Sequence, residues 1–201
     1  MMQEGLKIVL SGPSGSGKGT IVHELTKSDN FLLSVSATTR LPRQGEEEGV
    51  HYFFRNREEF EQMIANDELL EYAEFCGNYY GTPRAFIENH VKNGKDVILE
   101  IEVQGAQQIK DIYKDAIFIF VMPPNLIELK NRLVGRGTED EEVIKRRLDR
   151  AKEELALYDG YDYVVINDNL AEAVSEIQDI VRVEKLRSKH FKQTIEDIIY
   201  N

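Results

Sequence analysis

Leu6-Lys7-Ile8-Val9-Leu10, followed at residues 12–20 by Gly-Pro-Ser-Gly-Ser-Gly-Lys-Gly-Thr, is the stretch that decides the fold. An apolar run that gives way to a glycine-rich loop and then to a helix-like segment is the context in which a phosphate-binding loop is credible. Gly12, Gly15 and Gly17 let the backbone curl, so that successive N–H groups point inward at oxygen atoms. The helix expected from about Gly17 adds the positive end of its dipole, and Lys18 adds a full charge for β- and γ-phosphates. Pro13, Ser14, Ser16, Gly19 and Thr20 complete the loop. The spacing Gly12-x4-Gly17-Lys18 fits the pattern, with Gly19 standing where a serine or threonine usually meets Mg²⁺. The segment predicts a nucleoside triphosphate site.

Outward from this loop, apolar runs alternate with helical patterns. Strands are predicted at Leu6–Leu10, Asp96–Ile101, Ala116–Met122 and Tyr163–Ile166, with a shorter one at Leu32–Val35. Val97-Ile98-Leu99 and Ile117–Val121 are continuously apolar, as strands covered on both faces must be. Helices are predicted over Gly17–Lys27, Gln104–Tyr113, Asn125–Val134, Glu139–Tyr158 and Asn169–Ser188. The fourth opens on the capping box Thr138-Glu139-Asp140-Glu141 and carries the stripe Ile144, Leu148, Ala151 and Leu155. Such alternation predicts the α/β class, a parallel sheet flanked by helices. Residues 36–82 break the pattern and read as a small mixed insertion, with strands near Tyr52–Phe54, Leu69–Phe75 and Tyr79–Gly81. Glu46-Glu47-Glu48 within it reads as a solvated loop. Phe191, Ile195, Ile198 and Ile199 form a helical stripe near the end that could face the chain's own core or a second subunit, so monomer and homo-oligomer both stay open.

The chain has 201 residues and 41% hydrophobic content, enough for one main domain with a core. No stretch approaches the roughly 18 apolar residues of a membrane span. The start, Met1-Met2-Gln3-Glu4-Gly5, lacks the pattern of a secretory signal. One cysteine, Cys76, forbids an intramolecular disulfide and suits a reducing, cytoplasmic setting. With 25 basic against 36 acidic residues, the net charge of −11 argues against a general nucleic-acid surface. An acidic chain that handles phosphates must cluster its cations. Ser36-Ala37-Thr38-Thr39-Arg40-Leu41-Pro42-Arg43 does so, and paired guanidinium forks suit a phosphate.

The ordered set GPSGSGKGT, SATTRLPRQGE, HYFF, LLEYAEF, GNYYGT, ILEIEVQG and RLVGRGTEDEE resembles the guanylate kinase family over roughly residues 5–187. The resemblance implies a P-loop core at residues 1–35 and 84–201, a lid at about 126–158 within it, and a GMP-binding insertion at 36–83. It implies that Arg40, Arg43, Tyr52 and Tyr80 hold the GMP phosphate. Ser36 and Thr82 would donate toward guanine O6, and Glu71 would accept from guanine N1–H and the 2-amino group. Adenine presents an unprotonated N1 at that place, so one carboxylate separates the two purines, and such pairing discriminates by about 10⁴-fold or more. Glu102 would sit beside the guanine or ribose, and Glu100 near the phosphate and Mg²⁺. The period of two puts both on one side of the strand, although the family more often carries aspartates there.

The same resemblance implies ATP as co-substrate in the loop, with Asn167 lining the adenine pocket. Lys18, Arg132, Arg136 and Arg147 would neutralise the transferring phosphoryl group, and Arg146 reads as a solvated neighbour. Mg²⁺ would rest mainly on phosphate oxygens and water, with Thr20 or Glu100 the side chains that could steady it. The implied activity is transfer of the γ-phosphate of Mg-ATP to GMP, with dGMP open, in purine nucleotide metabolism and GTP supply. Partners would be these small molecules, with no nucleic acid and no membrane. No general base is needed, so the four histidines carry no catalytic role, and Cys76 reads as a small packed side chain. Two other classes remain. A non-catalytic interaction module would have lost Lys18 or the lid arginines, and a sugar-phosphate kinase would not need Ser36, Glu71 and Thr82.

Overall fold

The computed structural model describes residues 4–43, 45–75, 77–134 and 141–200. The strands β1 (Lys7–Ser11), β2 (Phe31–Leu33), β7 (Asp96–Glu100), β8 (Ile117–Met122) and β9 (Tyr163–Ile166) pair in parallel in the order β2-β7-β1-β8-β9. The pleat sends alternate residues of β1 to opposite faces. Ile8 and Leu10 pack with Ile21, Val22 and Leu25 of α1 (Lys18–Leu25) and with Ala173, Ile177 and Val181 of α7 (Leu170–Glu184). Val9 packs with Ile87 and Val91 of α3 (Arg84–Lys92) and with Ala106 and Ile109 of α4 (Val103–Ile112). Both faces of the sheet are therefore covered, which is why its central strands read as unbroken apolar runs.

A second, mixed sheet takes up the stretch that broke the alternation. Its strands β3 (Ala37–Thr38), β4 (Phe53–Phe54), β5 (Leu69–Phe75) and β6 (Asn78–Pro83) are ordered β4-β3-β6-β5, with β3·β4 parallel and β3·β6 and β5·β6 antiparallel. Its own core is small: Ala37, Phe60 and Leu69 are buried, with Phe53, Met63, Ile64 and Tyr79 around them. Phe60 comes from α2 (Arg57–Ala65), a helix that the strand-based reading of this segment omits. The reason is composition, because the first five residues of α2 include four charged ones and the helix buries only Phe60. Its start is nonetheless marked, since Asn56 and Glu59 form a reciprocal capping box.

On the far side of the P-loop, α5 (Leu126–Val134) and α6 (Glu141–Leu155) pack through Leu129, Leu133, Leu148 and Ala151. Two residues of the stripe read on α6, Leu148 and Ala151, thus face α5. The box at 138–141 falls largely outside the described residues, as do Arg136 and Cys76. Beyond α7 the chain forms a short 3-10 turn and α8 (Lys192–Tyr200), whose Ile195, Ile198 and Ile199 are exposed. No described helix is long and apolar enough to cross a membrane.

Candidate active site

The loop at 12–20 leaves the carboxyl end of β1 and closes onto α1, at the end of a parallel sheet where ligands of open α/β folds bind. Gly12 has φ +145°, and a Cβ there would lie 2.0 Å from the carbonyl oxygen of Val121, so β8 and the loop approach too closely for any side chain. Gly17, at φ +92°, caps α1, and a Cβ there would meet the Asn167 amide at 2.2 Å. Lys18 is buried and folds back across the loop, donating from Nζ to the carbonyls of Gly12 (2.6 Å) and Pro13 (3.2 Å). Its charge is thereby held inside the curl that the glycines make. Gly19 and Thr20 are exposed at the start of α1. A Cβ added at Gly19 would stand 3.6 Å from Glu100 Oε1, so a carboxylate faces the position that lacks a hydroxyl.

Two of the three arginines read as catalytic meet this loop. Arg132 donates from Nε to Glu128 (2.8 Å) and from Nη2 to the carbonyl of Asn167 (2.9 Å), with a longer contact to the carbonyl of Ser16 (3.4 Å). Arg147 donates to Ser14 Oγ at 2.7 Å. Arg146 is exposed. Asn167 is buried, and its amide donates to the carbonyl of Ser16 at 2.8 Å, which pins the loop to the end of β9. Glu128 escaped the sequence reading, although its i,i+4 spacing to Arg132 on a helix was the available signal.

A cavity of about 280 Å³ joins the two sheets' residues. Lys18, Glu100 and Glu102 line it from the core, and Ser36, His51 and Tyr52 from the insertion. Glu100 closes β7, whereas Glu102 has left the strand and caps α4, so the expected single strand side is replaced by a turn. Both still face one space. Protein crowded around Glu100 raises its pKa, while the nearby Lys18 charge opposes that rise.

The insertion gathers the remaining residues in two groups. Thr82 on β6 donates to Glu71 Oε1 on β5 at 2.6 Å, and no cation among the described residues pairs with Glu71. Burial pushes the Glu71 carboxyl above its ordinary pKa, the Thr82 hydrogen bond opposing the shift. Such a carboxylate has an unfilled need for N–H donors. In the second group Arg40 stands 5.4 Å from the centre of the Tyr52 ring, which meets the Tyr80 ring edge-on at 6.2 Å. Arg43 is exposed alongside.

The solvated-loop reading of residues 46–48 is corrected at Glu46, while Glu47 and Glu48 are exposed. Glu46 is half-buried and takes both Nη1 (2.9 Å) and Nη2 (2.8 Å) of Arg40, together with the backbone N–H of Arg43 (2.6 Å). Glu48 pairs with Arg55 at 2.7 Å. Sequence reasoning missed Glu46 because a turn, not a helical or strand period, brings it to Arg40.

Comparison with known proteins agrees with this geometry. The sequence model described as "Guanylate kinase" matches residues 4–184. The chain is 54% identical to the guanylate kinase of Bacillus anthracis over 202 aligned positions, covering 98% of each. It is 52% identical to that of Halalkalibacterium halodurans, over 98% of this chain and 97% of the other. Among solved structures, the guanylate kinase of Anaplasma phagocytophilum superposes with a TM-score of 0.76 at 34% identity, over 96% of this chain and 94% of that one.

Proposed function

Because the chain belongs to the guanylate kinase family of nucleoside monophosphate kinases, we propose that it moves the γ-phosphoryl group of Mg-ATP to GMP, giving ADP and GDP. The observation that carries this reading is the shared cavity, in which the P-loop lysine and the insertion's Ser36 and Tyr52 line one space. In the proposed division, residues 36–83 are the acceptor-binding insertion, 1–35 and 84–201 the core, and about 126–158 the lid.

ATP lies along Gly12–Thr20, with its phosphates drawn to the loop amides and to Lys18. On binding, Lys18 exchanges the carbonyls of Gly12 and Pro13 for phosphate oxygens. Asn167 holds the loop and borders the adenine. GMP sits across the cavity. Arg40, Arg43, Tyr52 and Tyr80 take its phosphate, Ser36 and Thr82 face O6, Glu71 accepts from N1–H and the 2-amino group, and Glu102 lies beside the sugar and base. The buried Glu71, paired with a hydroxyl and no cation, supports a base with two adjacent donors. dGMP is a further acceptor, since these contacts fall mainly on base and phosphate. The product GDP would feed GTP supply.

The acceptor phosphate is a dianion near neutral pH and attacks directly, so the side chains need only align and neutralise. Lys18 approaches from the loop, and Arg132, Arg136 and Arg147 close from the lid side. A divalent metal accompanies ATP, and Mg²⁺ would supply positive charge to neutralise the transferring phosphoryl group. Among the described residues no cluster of three metal-ligating side chains exists, so phosphate oxygens and water would form most of its shell. Glu100, opposite Gly19, and Thr20 are the groups placed to steady those waters.

Purified protein with ATP and Mg²⁺, offered GMP, AMP, UMP and a ribose bisphosphate in turn, should release ADP rapidly with GMP alone. Turnover with the sugar phosphate instead, or with none of the four, would defeat the proposal.

A further inference from the structure

We propose that Glu46 is a positioning residue of the acceptor-phosphate subsite, setting the guanidinium of Arg40 so that its second edge meets the phosphate. The inference rests on the acceptor site proposed above. A guanidinium offers two forks, one between Nη1 and Nη2 and one between Nε and Nη2. Glu46 fills the first with two hydrogen bonds of 2.9 and 2.8 Å, and the carbonyl of Leu41 takes Nη1 as well at 2.8 Å. The second fork meets no carboxylate among the described residues. The Tyr80 hydroxyl lies beside the same guanidinium and, with Glu46, favours its charge.

Three further features make this arrangement stiff. The pair is shielded, with side chains only 15% and 18% exposed, so solvent screens it less than a surface ion pair. Glu46 also accepts the backbone N–H of Arg43 at 2.6 Å, which ties the second arginine's backbone to the first arginine's side chain. The Tyr52 ring backs the guanidinium at 5.4 Å. One carboxylate thus sets the direction of the Arg40 cation and anchors the backbone of Arg43 before any ligand arrives, and preorganised donors bind without being ordered on arrival.

The alternative physical role is competition, in which Glu46 substitutes for the phosphate and must be displaced. The two roles predict opposite signs. Glu46→Gln keeps the size of the side chain but sets an NH₂ group against one guanidinium N–H, so the fork loses its partner. Under the positioning role, KM for GMP rises about tenfold or more, while kcat at saturating GMP and KM for ATP stay within about twofold. Guanosine lacks the phosphate, so its dissociation constant by calorimetry should be the same in both proteins. In an Arg40→Lys background, where no fork exists, adding Glu46→Gln should raise KM for GMP little further. An unchanged or lowered KM for GMP in Glu46→Gln overturns the inference. So does an equal loss of guanosine and GMP binding, which would mean a disordered insertion, and so does full additivity with Arg40→Lys. A wild-type protein that ignores GMP overturns the parent reading and this one together. Wild-type turnover with an unmoved KM in the variant overturns this one alone.

Discussion

Glu71 shows how one side chain can carry both selectivity and a pH dependence. Its carboxyl titrates above the ordinary value of 4.5 because burial disfavours the charge, despite the Thr82 hydroxyl. In the acceptor site proposed above GMP needs the ionised form, because both donors of the base would be met by it. KM for GMP should therefore climb as pH falls through this raised pKa, beginning above pH 4.5, while KM for ATP stays nearly flat. Thr82→Val removes the opposing hydrogen bond and should move the climb to higher pH, whereas Glu71→Gln should leave only the part that comes from protonation of the GMP phosphate itself, at about pH 6. Initial rates between pH 4.5 and 8 check this, and a climb unmoved by Thr82→Val would count against it. Linkage gives the empty protein the opposite sign. Stability contributed by protonated Glu71 is full below 4.5 and lost as pH rises through its raised value. Glu46 behaves the other way, its pKa lowered to about 2 by the Arg40 hydrogen bonds and the Arg43 amide, so its pair persists above 4.5 and fails as pH drops toward 2. Lys18 and Arg40 were legible in the sequence because glycine-rich and paired-arginine motifs suit phosphates, and Glu71 through the family resemblance. Glu46 was not, because only the folded turn sets its carboxylate against Arg40.

At the scale of elements, legibility followed burial. β7, β8 and β9 could be read within a residue or two because unbroken apolar runs leave few alternatives. β3 has two residues and α2 buries only Phe60, so neither carries an apolar period; α3 does, with Ile87 and Val91 one turn apart, but it follows a strand directly at Pro83 and the sequence reading omits it. The insertion is correspondingly thin, and much of it leans on one ring. Phe60 is fully buried and stacks on Tyr79 at 5.2 Å. Phe60→Ala should cost about 3–5 kcal/mol. The loss should be largely local, since Ala37, Phe60 and Leu69 cluster apart from the parallel sheet's cores, to which the insertion is joined through Leu70 of β5. Hydrogen exchange should speed at β5 and β6 while β1 and β8 keep their protection, and KM for GMP should rise more than KM for ATP. Uniform loss of protection across both sheets would show that the two cores unfold as one.

The whole molecule solves a problem of charge. In the proposed reaction a chain with a net charge of −11 must bring two polyanions together, with cations drawn from the loop, the α5–α6 side and the insertion. Lys18 is held in the loop, Arg132 and Arg147 rest against the loop's rim, and Arg40 is fixed on the insertion by Glu46. In the proposed division donor and acceptor are separable, the core reading a triphosphate and the insertion a base and one phosphate. The most direct test of that division is the ratio of kcat/KM for GMP to that for AMP, measured in the wild-type protein and in Glu71→Gln at pH 7.5. The ratio should be about 10⁴ or more in the wild type. It should fall at least about a hundredfold in the variant, with KM for ATP unchanged, because a glutamine amide satisfies one guanine donor, opposes the other, and can donate to adenine N1. A wild-type ratio near one, or a ratio that the substitution leaves intact, would contradict guanine recognition by Glu71.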